Sequence, residues 1–452
     1  MRKLKGVRTP HRKNTAGCKA SYIPIPPEVV IPMSMHIGAP AEPLVKTGDL
    51  VKVGQLIADG SGFVSSPVHA SVSGRVKKLD EIISSAGRFM TAIVIESDGL
   101  QTPYEGMTPP KVETREDFVR AIRDSGVVGL GGAGFPSAVK LTVKDIAQVE
   151  YVLINGAECE PYITSDTRAM LDYTNYIWEG ALMLRRYFEP KKIIFGIEAN
   201  KPECIRRFQE LCKSEPDIEV RSLPSLYPQG GEKVLVFNTT GRIVPEGKLP
   251  LDVGTIVINC TTLSSIARYI MTGIPLTRKS ITVDGSAVAK PQNVIAPIGT
   301  PLRYIFDYCG GFKCEPKKVL YGGPMMGIAV PDLDQPVLKT TNAVLAFSVK
   351  DAAPPKETAC IGCGRCAAHC PLRLMPGEIT DAFKRQDFEM LGKAKVNLCM
   401  ECGCCTFVCP AKRPLVQVNK LAKAALRQYQ TEQREKLARQ KAAEANNGEV
   451  AK

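Results

Sequence analysis

The sequence predicts a multidomain α/β protein that ends in a small helical, cysteine-rich module and a basic tail. Three observations point there. A chain of 452 residues is longer than one hydrophobic core ordinarily organises, so three or four units are expected. Between 111 and 260, short apolar runs alternate with helical stretches, the pattern of strands and helices layered on a sheet. Nine of the 16 cysteines crowd between Cys360 and Cys409.

Composition narrows the class. Hydrophobic residues make up 44% of the chain and charged residues 23%, as in soluble globular proteins. No apolar run is long enough to cross a bilayer, so no membrane span is expected. The basic start, Met1-Arg2-Lys3-Leu4-Lys5-Gly6, has no apolar stretch behind it, so no secretory leader is expected and a reducing cytoplasm is the predicted compartment. There, 16 cysteines argue for metal ligation over disulfides. Four histidines leave little material for histidine-driven hydrolysis, and no nucleic-acid partner is expected. The formal charge of +13 collects at the ends. Arg2, Lys3, Lys5, Arg8, Arg12 and Lys13 precede the first acid, Glu28, and from Lys412 onward ten Lys/Arg face four Glu. Such ends are either solvated tails or a handle for an anionic membrane surface or an acidic redox partner.

Residues 1–105 form the first expected unit, β-rich from about residue 20, with Val/Ile runs broken by Gly and Pro. Segments 46–57 and 66–76 resemble the barrel-sandwich hybrid of lipoyl and biotinyl carrier domains. Those carriers modify a lysine at a hairpin tip. Here the tip is Gly60-Ser61-Gly62-Phe63, so swinging-arm chemistry is not expected and the unit reads as a docking domain. After a polar linker, Thr114 with Asp117 makes a near capping box and opens a helix that should end near Gly126. The α/β unit, 111–260, is expected to place strands at 151–154, 192–197 and 255–258, helices at about 168–187 and 202–213, and a ligand at the strand ends. Residues 261–345 turn β-rich again around Ser280-Ile281-Thr282-Val283-Asp284-Gly285. The cysteine module occupies 352–425, and 426–452 reads as a basic helical tail with a frayed or disordered end.

Within the module, Cys360-x2-Cys363-x2-Cys366-x3-Cys370-Pro371 and Cys399-x2-Cys402-x2-Cys405-x3-Cys409-Pro410 both match the bacterial ferredoxin run. Three thiolates at that spacing wrap one 4Fe–4S cluster, and the fourth, before proline, turns to the other. One cluster is therefore expected on Cys360, Cys363, Cys366 and Cys409, the second on Cys399, Cys402, Cys405 and Cys370. Paired C-x2-C motifs also make zinc ribbons, but zinc gives no reason for two triple runs each ending in Cys-Pro. Cys404 has no place in the spacing, although it could substitute for Cys405.

The segment 126–140 contains a G-x-G-x-x-G and leads into a helix, with Pro136 near its start and Lys140 one turn in. Backbone N–H groups and a lysine suit a phosphate, although glycines also mark plain tight turns. Three further pieces follow: Asn155-Gly156-Ala157-Glu158-Cys159-Glu160-Pro161, Tyr227-Pro228-Gln229-Gly230-Gly231-Glu232-Lys233 and Asn259-Cys260-Thr261-Thr262-Leu263. Taken in this order they are similar to the NADH-oxidising flavoprotein subunit of respiratory complex I, and closer still to the RnfC family of the Rnf electron-transport complexes. The 275–330 region resembles that family's β-grasp (SLBB) domain, and Gly322-Gly323-Pro324-Met325-Met326-Gly327 its follow-on signature. The resemblance spans roughly residues 1–425.

That resemblance implies a Rossmann-like domain with noncovalent FMN, which takes hydride from NADH and releases electrons singly to two clusters. It puts Gly129, Gly131, Gly132, Gly134, Lys140, Asn155, Glu158, Gly230, Asn259 and Thr262 on flavin-contacting positions. Phe135, Glu160 and Glu232 fall on nicotinamide-nucleotide positions. Leu130, Ala157 and Gly231 depart from the complex I pattern, where arginine, aspartate and glutamate stand. It further implies partnership with the other Rnf subunits, membrane redox subunits and a ferredoxin-like subunit among them, at the cytoplasmic face of the cell membrane. A cobalamin reductase of propanediol-utilising microcompartments shares the flavin and cluster parts, but there the barrel-sandwich segment resembles a C-terminal appendage, whereas here it comes first. A scaffold using clusters only structurally is the non-enzymatic alternative.

Overall fold

The computed structural model describes residues 5–85 and 87–450, the side chains of 441–450 excepted. The chain divides into two compact units, one of Thr9–Val244 with Leu249–Pro354, the other of Met1–Arg8, Pro245–Lys248 and Pro355–Lys452.

The larger unit holds three sheet systems. In the first, an antiparallel sheet in the order Glu28–Pro32, Phe89–Ser97, Gly74–Ile83, Leu50–Val51 shares its core with a three-stranded sheet of Glu42–Pro43, Leu56–Asp59 and Val68–His69. The hairpin tip carries Phe63, 72% exposed.

The second system follows the helix Arg115–Asp124, whose capping box is as expected. Asp117 N–H donates to Thr114 Oγ1 and Thr114 N–H to Asp117 Oδ2, both at 3.1 Å. Its sheet is all parallel, in the order Ile218–Leu223, Lys192–Glu198, Tyr151–Gly156, Thr255–Asn259. Three of these strands are near-continuous apolar runs, as burial on both faces requires. The fourth, Ile218–Leu223, carries Glu219 and Arg221 and was not anticipated. It lies at the sheet edge, where Lys192 pairs with Glu219, so its pattern is only half apolar. The helix expected over 168–187 is two, Ser165–Asp172 and Thr174–Phe188, broken at Tyr173. From Tyr151–Gly156 the chain steps outward to Ile218–Leu223, then returns to lay Thr255–Asn259 on the opposite side. Chain order therefore reverses between Tyr151–Gly156 and Thr255–Asn259, which opens a crevice at their carboxyl ends.

The third system is a six-stranded sheet in the order Ser21–Tyr22, Gln292–Pro297, Arg278–Asp284, Ala343–Phe347, Lys318–Tyr321, Ile328–Ala329, covered by the helix Leu302–Tyr308 through Ile305 and Phe306. Its first strand comes from the N-terminal β-rich run. Ser21 and Tyr22 pair with Val294 and Ile295, and Ile23 is buried in this core. A two-residue strand has no periodicity of its own to declare its partner.

The smaller unit is helical. Pro376–Lys384 and Phe388–Lys393 pack on the 36-residue helix Leu415–Val450 through Ile379, Leu391, Ala422 and Leu426, and Phe388 stacks on Tyr429 at 4.6 Å.

Candidate functional site

At the crevice, Asn155 and Asn259 are register partners on adjacent strands. Asn259 caps the helix Cys260–Thr272. Its Oδ1 accepts from Thr262 N–H at 3.1 Å, and its Nδ2 donates to Asp166 Oδ2 at 2.8 Å. Asn155 turns the other way, accepting from Ala157 N–H at 3.1 Å and donating to the Gly230 carbonyl at 2.9 Å. Gly230 permits this approach, since a Cβ there would lie 2.2 Å from the Ala157 oxygen.

The glycine-rich loop lies over the same place. Gly129 N–H donates to the Phe135 carbonyl at 2.8 Å, Gly134 N–H to Gly129 at 3.1 Å, and Leu130 N–H to Thr262 Oγ1 at 2.9 Å. Buried Lys279, which burial pushes down to about 8, donates to the Leu130 carbonyl at 3.2 Å. These bonds fix the loop and leave Gly131, Gly132 and Ala133 exposed. Their N–H groups have no hydrogen-bond partner among the described residues. Such a run of free backbone donors suits an anion. Lys140, on the short helix Ser137–Leu141, donates to Glu232 Oε1 at 2.6 Å and to the Val257 carbonyl at 3.1 Å. Glu232 opens the helix Glu232–Thr240. Phe135 is half-buried.

The acidic loop after Tyr151–Gly156 is held from below. Lys13 Nζ donates to the carbonyls of Glu158, Glu160 and Ile163 at 2.8, 2.8 and 2.5 Å. Burial pushes the Lys13 ammonium down, with Glu158 opposing. Glu158 is 6% exposed, and its carboxylate accepts from Asp166 N–H at 2.7 Å, Thr167 N–H at 3.2 Å and Thr167 Oγ1 at 2.7 Å. Its oxygens therefore cap Ser165–Asp172, at the favourable end of the helix dipole. Glu160 reaches the six-stranded sheet's loop, its Oε1 accepting from Met326 N–H at 2.8 Å and its Oε2 from Met325 N–H at 3.1 Å. Gly323 makes room, since a Cβ there would lie 2.2 Å from Oε2. Burial pushes the Glu160 carboxyl up to about 7, against the pull of those two N–H groups, Lys13 and Tyr227. Between the two acids, burial pushes the Cys159 thiol up to about 12.

The structure thus gathers Gly129, Gly131, Gly132, Gly134, Lys140, Asn155, Gly230, Glu232, Asn259 and Thr262 around one crevice, with Glu160 on the loop beyond Asn155. Sequence reasoning missed Lys13, which sits in a basic run readable as a solvated tail, and Asp166, a helix residue with no motif to mark it. Met325 and Met326 lie in the signature segment, but nothing in the sequence marks their bonds to Glu160.

In the smaller unit, Cys370 and Cys399 pack against one hydrophobic cluster, and Cys366 against another that holds Cys405 and Cys409. Cys370, Cys399, Cys402, Cys404, Cys405 and Asn419 ring a cavity. Cys360 and Cys363 are exposed, and Cys404 is fully buried. Leu374 N–H donates to Cys370 Sγ at 3.3 Å and Asn419 Nδ2 to Cys399 Sγ at 3.5 Å. Among the described residues no three His, Cys, Asp or Glu side chains converge as ligands of a single ion do. The second thiol set instead lines the wall of a cavity.

Three family descriptions match the chain: an RnfC barrel sandwich hybrid domain over residues 2–100, a Nuo51 FMN-binding domain over 122–268 and an SLBB domain over 280–329. The RnfC-type component of the Na+-translocating ferredoxin:NAD+ oxidoreductase complex of Acetobacterium woodii is 40% identical over 427 residues, 92% of this chain and 95% of that one. Its proton-translocating counterpart in Clostridium ljungdahlii is 40% identical over 390 residues, 86% of this chain and 85% of that one. The corresponding component of the ion-translocating oxidoreductase complex of Rhodobacter capsulatus is 37% identical over 426 residues, 93% and 82% of the two chains.

Proposed function

Because this chain belongs to the RnfC family of ion-translocating ferredoxin:NAD+ oxidoreductase complexes, we propose that it is the NADH-oxidising, electron-transferring subunit of such a complex. The observation that carries the reading is the crevice at the strand-order reversal, where three free N–H groups of an exposed glycine loop stand among Lys140, Asn155 and Asn259.

The donor set fits FMN. The free N–H groups of Gly131, Gly132 and Ala133, with the Lys140 ammonium, would take its phosphate, and Asn155, Gly230, Asn259 and Thr262 would frame its ring. When bound, FMN converts the two electrons of a hydride into single electrons that clusters accept. Glu232, paired to Lys140, and Glu160 hold negative charge at the rim, and Phe135 offers an aromatic face to the nicotinamide nucleotide. No side chain has to donate or remove a proton for hydride transfer itself. Burial pushes the Glu160 carboxyl up to about 7, so its negative charge beside the site is lost as pH falls through that value.

The thiols fit two 4Fe–4S clusters. Cys360, Cys363, Cys366 and Cys409 would hold one, and Cys399, Cys402, Cys405 and Cys370 the other. That Cys370 of the first run rings the same cavity as Cys399, Cys402 and Cys405 supports the exchange of the fourth ligand between the runs.

Among the described residues no helix is long and apolar enough to cross a membrane. We propose that it works as a peripheral protein at the cytoplasmic face of the cell membrane, partnered by membrane redox subunits and a ferredoxin-like subunit, as membership of a multi-subunit ion-translocating complex family supports. Anaerobic purification tests the core of this reading. The expected result is FMN released on denaturation, about eight irons per chain, and bleaching of the flavin absorbance by NADH. A chain with iron but no flavin and no response to NADH would favour a structural scaffold.

A further inference from the structure

Two side chains on the long helix reach the same cysteine. Asn419 donates from Nδ2 to Cys399 Sγ at 3.5 Å. Lys423 donates from Nζ to the Cys399 carbonyl at 2.9 Å and to Glu401 Oε1 at 2.7 Å. Four residues apart, they lie one above the other on one face of Leu415–Val450. Asn419 is 1% exposed and the Lys423 side chain 13%. Among the described residues the Asn419 Oδ1 is buried without a partner, so the donor end is the engaged end of this amide. An orphaned buried oxygen is costly, and an aliphatic residue of similar size would avoid it.

We propose that Asn419 and Lys423 are positioning residues that raise the reduction potential of the cluster held by Cys399, Cys402, Cys405 and Cys370. The inference rests on the cluster assignment proposed above. One-electron reduction adds one negative charge to the cluster and its thiolates, with no bond made or broken and no proton moved. A donor aimed at a thiolate sulfur stabilises the more negative form, as does an ammonium that sits on the same residue's carbonyl and offsets the Glu401 carboxylate between two ligands. In a partly buried site the charge acts through a low dielectric, which strengthens the effect. Both contacts fall on one cysteine of one ligand set, and the exposed Cys360 and Cys363 of the other set receive neither. The helix therefore acts on the potential of one cluster through contacts that the other does not share.

The test is an EPR-monitored redox titration of the full chain as wild type, Asn419→Leu and Lys423→Met, with iron content measured alongside. The expected result is about eight irons per chain throughout, with one midpoint lowered in each variant and the other unmoved. A tenfold shift in that cluster's reduction equilibrium reads as about 59 mV for one electron. Unchanged midpoints at full iron content, or two midpoints falling together, would overturn the proposal. If Asn419→Leu loses a cluster, Lys423→Met decides alone, because it leaves every neighbour of the sulfur in place. A wild-type chain without two clusters overturns the assignment beneath it, an outcome the iron count distinguishes.

Discussion

Asn155 and Asn259 stand opposite each other on neighbouring parallel strands, at the point in the sheet where the chain order reverses. Each organises a different wall of the crevice, Asn155 the Gly230 turn and Asn259 the helix that receives the glycine loop through Thr262. Asn155→Ala should therefore fold yet carry much less flavin than wild type, read as the flavin-to-protein ratio after anaerobic purification. Asn259→Ala should lose flavin and also about 1 kcal/mol of stability with its helix cap. A wild-type flavin ratio in Asn155→Ala would place the cofactor elsewhere.

Lys140 and Glu232 are a half-exposed pair, with side-chain exposures of 36% and 40%. Such a pair contributes at most about 1 kcal/mol to stability, so Lys140→Met should melt close to wild type. Its FMN affinity should fall about tenfold, which is about 1.4 kcal/mol, measured by flavin fluorescence on titrating apoprotein. Glu232→Gln should keep its flavin and raise the KM for NADH.

Burial raises the Glu160 carboxyl from 4.5 to about 7, so the folded chain holds this proton more tightly than the unfolded one. Its contribution to stability is then fully present below the unfolded value and is lost as pH rises through the folded one. Relative to wild type, Glu160→Gln should gain melting temperature as pH rises from about 5 to about 8. A constant difference across that range would mean that Glu160 does not titrate there.

Lys13 ties three carbonyls of the acidic loop with one ammonium. Lys13→Met takes this donor from the Glu160 and Ile163 carbonyls, while the Glu158 carbonyl keeps Lys201 Nζ at 3.3 Å, and each orphaned oxygen costs about 1–3 kcal/mol. The variant should unfold at clearly lower urea concentration and lose flavin, because the loop beyond Asn155 is no longer fixed. Lys13→Arg, if it restores one or two of these bonds, should fall between.

Much of this was legible in the sequence, for physical reasons that can be named. Thr114 and Asp117 announced a helix start because the capping box is local chemistry, and the runs around Val152, Ile194 and Val257 announced strands because burial on both faces demands continuous apolar residues. Ile218–Leu223 was hidden because an edge strand mixes its pattern, and Ser21–Tyr22 because two residues have none. The glycine loop and its three companion segments were visible as motifs. Lys13 was not, since nothing in a basic run distinguishes the one lysine that a fold buries. Glu158 stands in a legible motif, but its service to a helix terminus had no local signal, because the N–H groups it accepts from lie eight and nine residues on.

The proposed exchange of the fourth ligand would make the two cysteine runs interdependent. Cys409→Ser should disturb the cluster whose other ligands are Cys360, Cys363 and Cys366, and Cys370→Ser the cluster of Cys399, Cys402 and Cys405. Separate EPR signatures of the two clusters check which signal each variant loses. Cys363→Ala should lose one cluster and block transfer beyond the flavin while NADH still bleaches it.

The most direct test follows the electrons themselves. Anaerobic wild-type chain, frozen after addition of NADH, should show cluster EPR signals of the reduced state, and flavin-depleted Asn155→Ala with the same iron content should show none until dithionite is added. Cluster reduction by NADH in the flavin-depleted protein, or none in the flavin-loaded wild type, would contradict a path from NADH through the crevice to the cysteine module.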